Sequence, residues 1–126
     1  MGFEGSRENK GKISDIYEIG KRMIKSFASP LSAFVFDVRL IDSEAVSRII
    51  ALSGIENLVS KYAHNNIIIY YIDLNKIIEL CRREDCRAVG PEKRRACVSS
   101  CSVKKLDIIK NNIIKSIYES IESITT

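Results

Sequence analysis

Ala33-Phe34-Val35-Phe36-Asp37-Val38-Arg39-Leu40-Ile41, continued by Asp42-Ser43-Glu44 and answered later by Ile67-Ile68-Ile69-Tyr70-Tyr71-Ile72, is the stretch on which the fold class turns. Phe34, Phe36, Val38 and Leu40 fall on one face and Asp37 and Arg39 on the other, which is the period of a strand. A helix over the same residues would be apolar all round. Asp42 and Ser43 then offer an N-cap, and Glu44 suits a first helical turn. Val46, Ile49, Ile50 and Ser53 line one helical face until Gly54 supplies a left-handed stop. Ile55, Leu58, Val59 and Tyr62 predict a second short helix. His64-Asn65-Asn66 signals a turn, and the unbroken run Ile67–Ile72 predicts a strand covered on both faces.

On the N-terminal side, residues 1–11 carry three glycines and mixed charge, and read as an arm or a first edge strand. From Lys12 the period is helical through Ile13, Ile16, Tyr17, Gly20, Met23, Ile24 and Phe27, and Pro30 closes this helix near Ala28. On the C-terminal side, Asp73 caps a helix that turns Ile77, Ile78 and Cys81 inward. Gly90-Pro91 breaks the chain, and Pro91 suits the first turn of a further helix. Leu106, Ile109, Ile113, Ile117, Ile121 and Ile124 stripe a long last helix. The order is therefore helix, strand, two helices, strand, helix, long helix. It predicts a single domain over 1–126 of α/β or α+β class, a small parallel or mixed sheet packed with helices.

The chain has 126 residues, too few for a cofactor domain beside a substrate domain. Its longest apolar run, Ile67–Ile72, is far below the ~18 residues of a membrane span. The start, MGFEGSRENKGK, has no apolar segment suited to a secretory signal, so the cytoplasm is the expected location. Isoleucine occurs 21 times while Gln and Trp are absent. With abundant Lys, Arg and Glu this leans toward a thermophile, whose proteins avoid thermolabile amides.

Charge and cysteine are both local. Between Arg82 and Lys105 stand eight basic residues against Glu84, Asp85 and Glu92, an excess of +5 in a chain whose total is +4. The rest of the chain therefore carries −1, and such concentration makes a binding face. Arg82, Arg83, Arg87, Lys93, Arg94 and Arg95 are the candidate phosphate contacts for RNA or DNA, since the planar guanidinium matches phosphate. No aromatic residue interrupts this stretch, so backbone or end recognition fits better than base stacking. The bland reading is a solvated face. Cys81, Cys86, Cys97 and Cys101 lie in the same segment and leave three readings open. They are disulfides joining the two pairs, reduced packed thiols, or a tetrahedral zinc site. The spacing is looser than a zinc knuckle, and we expect neither metal nor cofactor.

Catalytic equipment is thin. His64 is the one histidine, in a turn and with no nucleophile pattern beside it. No phosphate loop, dinucleotide glycine signature or metalloprotease helix is present. Asp37 and Arg39, on one strand face, read as an ion pair. No isolated enzymatic turnover and no small-molecule substrate are expected.

From Gly2-Phe3-Glu4-Gly5 through Phe36-Asp37-Val38-Arg39-Leu40-Ile41-Asp42-Ser43-Glu44 the chain resembles the kinase-binding small subunit of the KEOPS complex (the TPRKB family). That family has a similar Gly-aromatic-x-Gly start and a Phe-Asp-x-Arg-Leu strand followed by an amphipathic helix. The likeness spans residues 2–55, and Ala45 stands where the family often has a histidine. The resemblance implies a noncatalytic accessory subunit that binds a small kinase/ATPase and helps hold tRNA during threonylcarbamoyladenosine synthesis. Two other readings compete with it. One is a small nucleic-acid-binding protein of a thermophilic archaeon or its virus. The other is a cysteine-stapled protein-interaction module.

Overall fold

The computed structural model describes residues 11–125. The arm or edge strand expected over residues 1–11 thus lies, Gly11 apart, outside the described residues. Helix α1, Ile16–Ala28, starts later than its periodicity suggests because Asp15 caps it, accepting the Tyr17 amide at 3.2 Å. Ile13, left outside, makes an isolated parallel bridge to Ile41. It gives its amide to Leu40 and accepts that of Asp42. Ile19, Met23 and Phe27 are wholly buried along the inner face of α1.

Strand β1, Ala33–Asp37, is shorter than the nine residues of its alternating pattern. The Asp37 carboxylate takes the Arg39 amide at 2.8 Å, and its carbonyl takes the Leu40 and Ile41 amides. This local turn competes with further pairing and leaves Leu40 exposed while Ile41 enters the core. Helix α2, Ser43–Ser53, has the Asp42 cap and the Gly54 stop, with Gly54 at φ 69°.

The short helix expected from Ile55, Leu58, Val59 and Tyr62 is not formed. Ile55 is buried in a turn, and the chain then enters strand β2, Ser60–His64. Asn65 takes a left-handed φ of 55° and, with Asn66, closes a two-residue hairpin into β3, Ile67–Tyr71. Cross-strand pairing with β3 decides the matter, and no local propensity could show that.

The sheet order is β1-β3-β2, and both pairings are antiparallel. Since each pairs β3 in that sense, β1 and β2 point the same way with β3 inserted between them. The crossover β1-α2-β2 is therefore a split strand–helix–strand unit, and the class is α+β. Among the described residues one face of β3 is closely covered: Ile68 and Tyr70 are buried, beside Phe34 and Phe36 of β1, whereas on the other face Ile69 and Tyr71 are half-buried and Ile67 is exposed. The Phe34 and Phe36 rings stack at 5.2 Å between centroids.

Helix α3, Leu74–Leu80, capped by Asp73, runs into a π-type turn, Cys81–Asp85. Helix α4, Pro91–Thr125, merges the two expected C-terminal helices into one of 35 residues, about 52 Å long. Its Ile113, Ile117 and Ile121 are buried to within 1%. It packs on α1, α2 and α3. Gly20 lets α1 and α4 approach, because a methyl there would be driven into Ile121 Cγ2. The Lys110 ammonium donates to the Ser29 carbonyl at 3.1 Å, placing a cation at the C-terminal end of α1.

Candidate nucleic-acid interface

All four cysteines are joined, Cys81 to Cys101 and Cys86 to Cys97, with 5.9 Å between the Cα atoms of each pair. The turn explains how unequal spacings match. Cys97 and Cys101 lie at i and i+4 on α4, one above the other. Five residues along an ordinary α-helix would rotate Cys86 well off the face of Cys81. The wider turn instead bonds the Cys86 amide to the Cys81 carbonyl at 2.8 Å and returns both thiols to one face. Two rungs then clamp the end of α3 to the first turns of α4. Among the described residues no cluster of His, Cys, Asp and Glu is arranged to hold a metal ion.

The candidate cations sit at the tip of this clamped helical hairpin, and Arg82, Arg83, Arg87, Lys93, Arg94 and Arg95 are all exposed. Arg82 meets Glu79 at 3.2 Å, and Arg83 approaches Glu84 at 3.9 Å. Arg94 donates to the Val89 carbonyl at 3.0 Å, bracing the loop before Pro91. Arg87, Lys93 and Arg95 have no ion pair among the described residues. Lys93, Arg94 and Arg95 are successive on α4 and fan out by about 100° each. Arg83 borders a hollow with Lys76 and Glu79. Arg95 instead borders the groove between α3 and α4. The six therefore wrap the tip and do not form one flat patch. Behind them, Lys105 reaches Asp85 at 3.6 Å.

The groove was not evident from the sequence. It has a volume of about 410 Å³ and is lined by Leu74, Ile78, Val98, Val103 and Leu106, with Ser99, Ser102 and Arg95. Ser102 Oγ is buried and unpartnered among the described residues. Leu74 with Ile78 and Val98 with Leu106 each lie at helical spacing, but the two pairs are distant in sequence and charge surrounds the second.

Asp37 and Arg39 form the expected pair, bidentate at 3.0 and 2.7 Å. The Arg39 side chain and amide both donate to the Asp37 carboxylate and hold its pKa down to about 2 from 3.8; the carboxylate raises that of Arg39. Because the folded pKa is depressed, the pair's contribution to stability is present above the unfolded value. It is lost as pH falls from about 4 through about 2. A carbon-detected titration of the Asp37 carboxyl is expected to give a midpoint near 2, moving toward 3.8 in Arg39→Ala. A midpoint near 3.8 in both proteins would show that the bidentate geometry is absent in solution. A carboxylate tied to Arg39 in this way makes a poor phosphate site.

His64 ends β2 at an exposed position, opposite Ile67. Its imidazole makes no hydrogen bond or ion pair among the described residues. The middle row of the sheet's outer face is apolar: Val35, Ile69 and Tyr62 stand side by side across the strands, with Val35 51% and Tyr62 54% exposed, while the next row sets Asp37 and His64 on either side of Ile67. Among the described residues no helix is long and apolar enough to cross a membrane. No protein-family model, curated protein or solved structure matches the chain.

Proposed function

We propose that this chain is a noncatalytic accessory subunit of a KEOPS-type, tRNA threonylcarbamoyladenosine-synthesising complex, binding the small kinase/ATPase subunit and contacting tRNA. The observation that carries the reading is the clamped basic tip, where Arg87, Lys93 and Arg95 project with no carboxylate partner among the described residues. Unpaired cations on a braced scaffold suit phosphate, because neither an ion pair nor loop order has to be given up on binding. The strand Phe36–Ile41 and its following helix support the choice of complex by their likeness to the TPRKB family.

Co-purification with the small kinase subunit tests the reading. The two proteins are expected to elute together, and the kinase is expected to increase the retention of tRNA. If the kinase elutes alone and tRNA still binds, the chain is instead a small archaeal or viral nucleic-acid-binding protein. The open apolar row of Val35, Ile69 and Tyr62 favours one further reading, a stapled protein-interaction module. In that case neither tRNA nor kinase would be retained.

A further inference from the structure

We propose that the groove between α3 and the first half of α4 is a docking site for an acidic amphipathic helix of a protein partner. Leu74, at 50% exposure, and Val103, at 60%, stand on its two walls, with Ile78, Val98 and Leu106 half-buried between them. Exposed apolar side chains gathered in one concavity are a docking signal, whereas scattered ones are ordinary. From Arg95 to Leu106 the groove runs about 16 Å along α4, room for three anchors of a helix spaced i, i+4, i+7. Ser99 and Ser102 keep the floor low between the larger side chains.

Charge selects the occupant. Arg95 is the sole charged residue among those lining the groove, and it has no ion pair among the described residues. Lys93 and Lys104 share its helix, as do Arg94, which donates to the Val89 carbonyl, and Lys105, which is taken up by Asp85, with Glu92 and Asp107 as the nearby acids on that helix. A helix with Leu or Ile on one face and Glu along its flank would bury the apolar walls and set a carboxylate on Arg95. A basic helix would meet repulsion. The Cys81–Cys101 rung fixes the spacing of the walls, since Cys81 continues the Leu74, Ile78 stripe of α3. The groove is thus shaped before its ligand arrives, and less ordering is needed on binding.

The inference does not depend on which complex the chain joins. Its test uses the full oxidised chain and a fluorescent peptide of about 18 residues, long enough for helix to form on binding, with Leu on one face and Glu on the flanks. A second peptide carries Lys in place of Glu. The Glu peptide is expected to bind and the Lys peptide to bind at least about tenfold more weakly. The double variant Leu74→Ser/Val103→Ser changes two exposed side chains and no charge. It is expected to weaken the Glu peptide by about tenfold or more and to leave tRNA affinity unchanged. Equal binding of the two peptides, no binding of either, or no effect of the double variant overturns the proposal. So does a chain that sediments as a dimer and dissociates in the double variant, because a second copy is then the occupant. Loss of tRNA binding alone would count against the proposed function and leave this site standing.

Discussion

Replacing Cys81 and Cys101 together by alanine is expected to lower the thermal midpoint of the oxidised protein by roughly 12 °C. The bridge closes a loop between residues 20 apart. Loop-closure entropy for that length contributes about 3 kcal/mol, and a domain of this size loses roughly 4 °C per kcal/mol. Removing the inner rung, Cys86 with Cys97, is expected to cost less. It joins residues 11 apart inside a loop that the outer rung already restrains. Circular dichroism melts with and without a thiol reductant check both statements, and the reductant should shift the parent protein but not a variant lacking all four thiols. An unchanged midpoint in Cys81→Ala/Cys101→Ala would mean that the hairpin opens independently of the core. In that event Ile113, Ile117 and Ile121 would hold α4 to α1 while its first turns melt first.

Legibility in the sequence followed the range of the interactions. The Asp42 cap, the Gly54 stop, and the inner parts of two stripes, Gly20, Met23 and Phe27 on α1 and Ile113, Ile117 and Ile121 on α4, are local, and the structure keeps them, whereas Ile13 falls outside α1 and Tyr17 and Ile124 are exposed. Strand β2 failed that test because Ser60-Lys61-Tyr62-Ala63-His64 is a polar, mostly exposed edge strand with no period-2 apolar signal. Its existence depends on pairing with β3, residue by residue from Ser60 opposite Tyr71 to His64 opposite Ile67. The accidental helical spacing of Ile55, Leu58, Val59 and Tyr62 filled the gap. β1 ended early for a different reason. Asp37 satisfies three following backbone amides more cheaply, by turning, than an edge strand would by continuing.

The basic segment was legible as charge and the cysteines as a cluster, but their geometry was not. The pairing of rungs depends on one π-type turn, and no sequence period announces such a turn. The same turn decides that Arg83 and Arg95 border different hollows. The groove escaped notice because Leu74 and Ile78 are distant in sequence from Val98 and Leu106. Only the clamp brings the two stripes together.

For tRNA, the double variant Arg87→Ala/Lys93→Ala is expected to flatten the slope of log affinity against log salt by about 1.4 units. Each cation that neutralises a phosphate releases condensed counterion worth about 0.7 in that slope on single strands. Extrapolated from molar salt to about 0.15 M, two such contacts amount to roughly a tenfold loss of affinity. These two residues are the sharpest choice because neither has an ion pair among the described residues and neither lines the α3–α4 groove. Arg82→Ala/Arg83→Ala should change the slope less, since those cations must leave Glu79 and Glu84 before they meet phosphate. With no aromatic residue between Arg82 and Lys105, affinity should vary little among single-stranded sequences of equal length. Filter binding across a salt series measures slope and affinity together. If affinity and slope are both unchanged in Arg87→Ala/Lys93→Ala, the tip is only a solvated face, and the KEOPS-type reading then rests on the kinase contact alone.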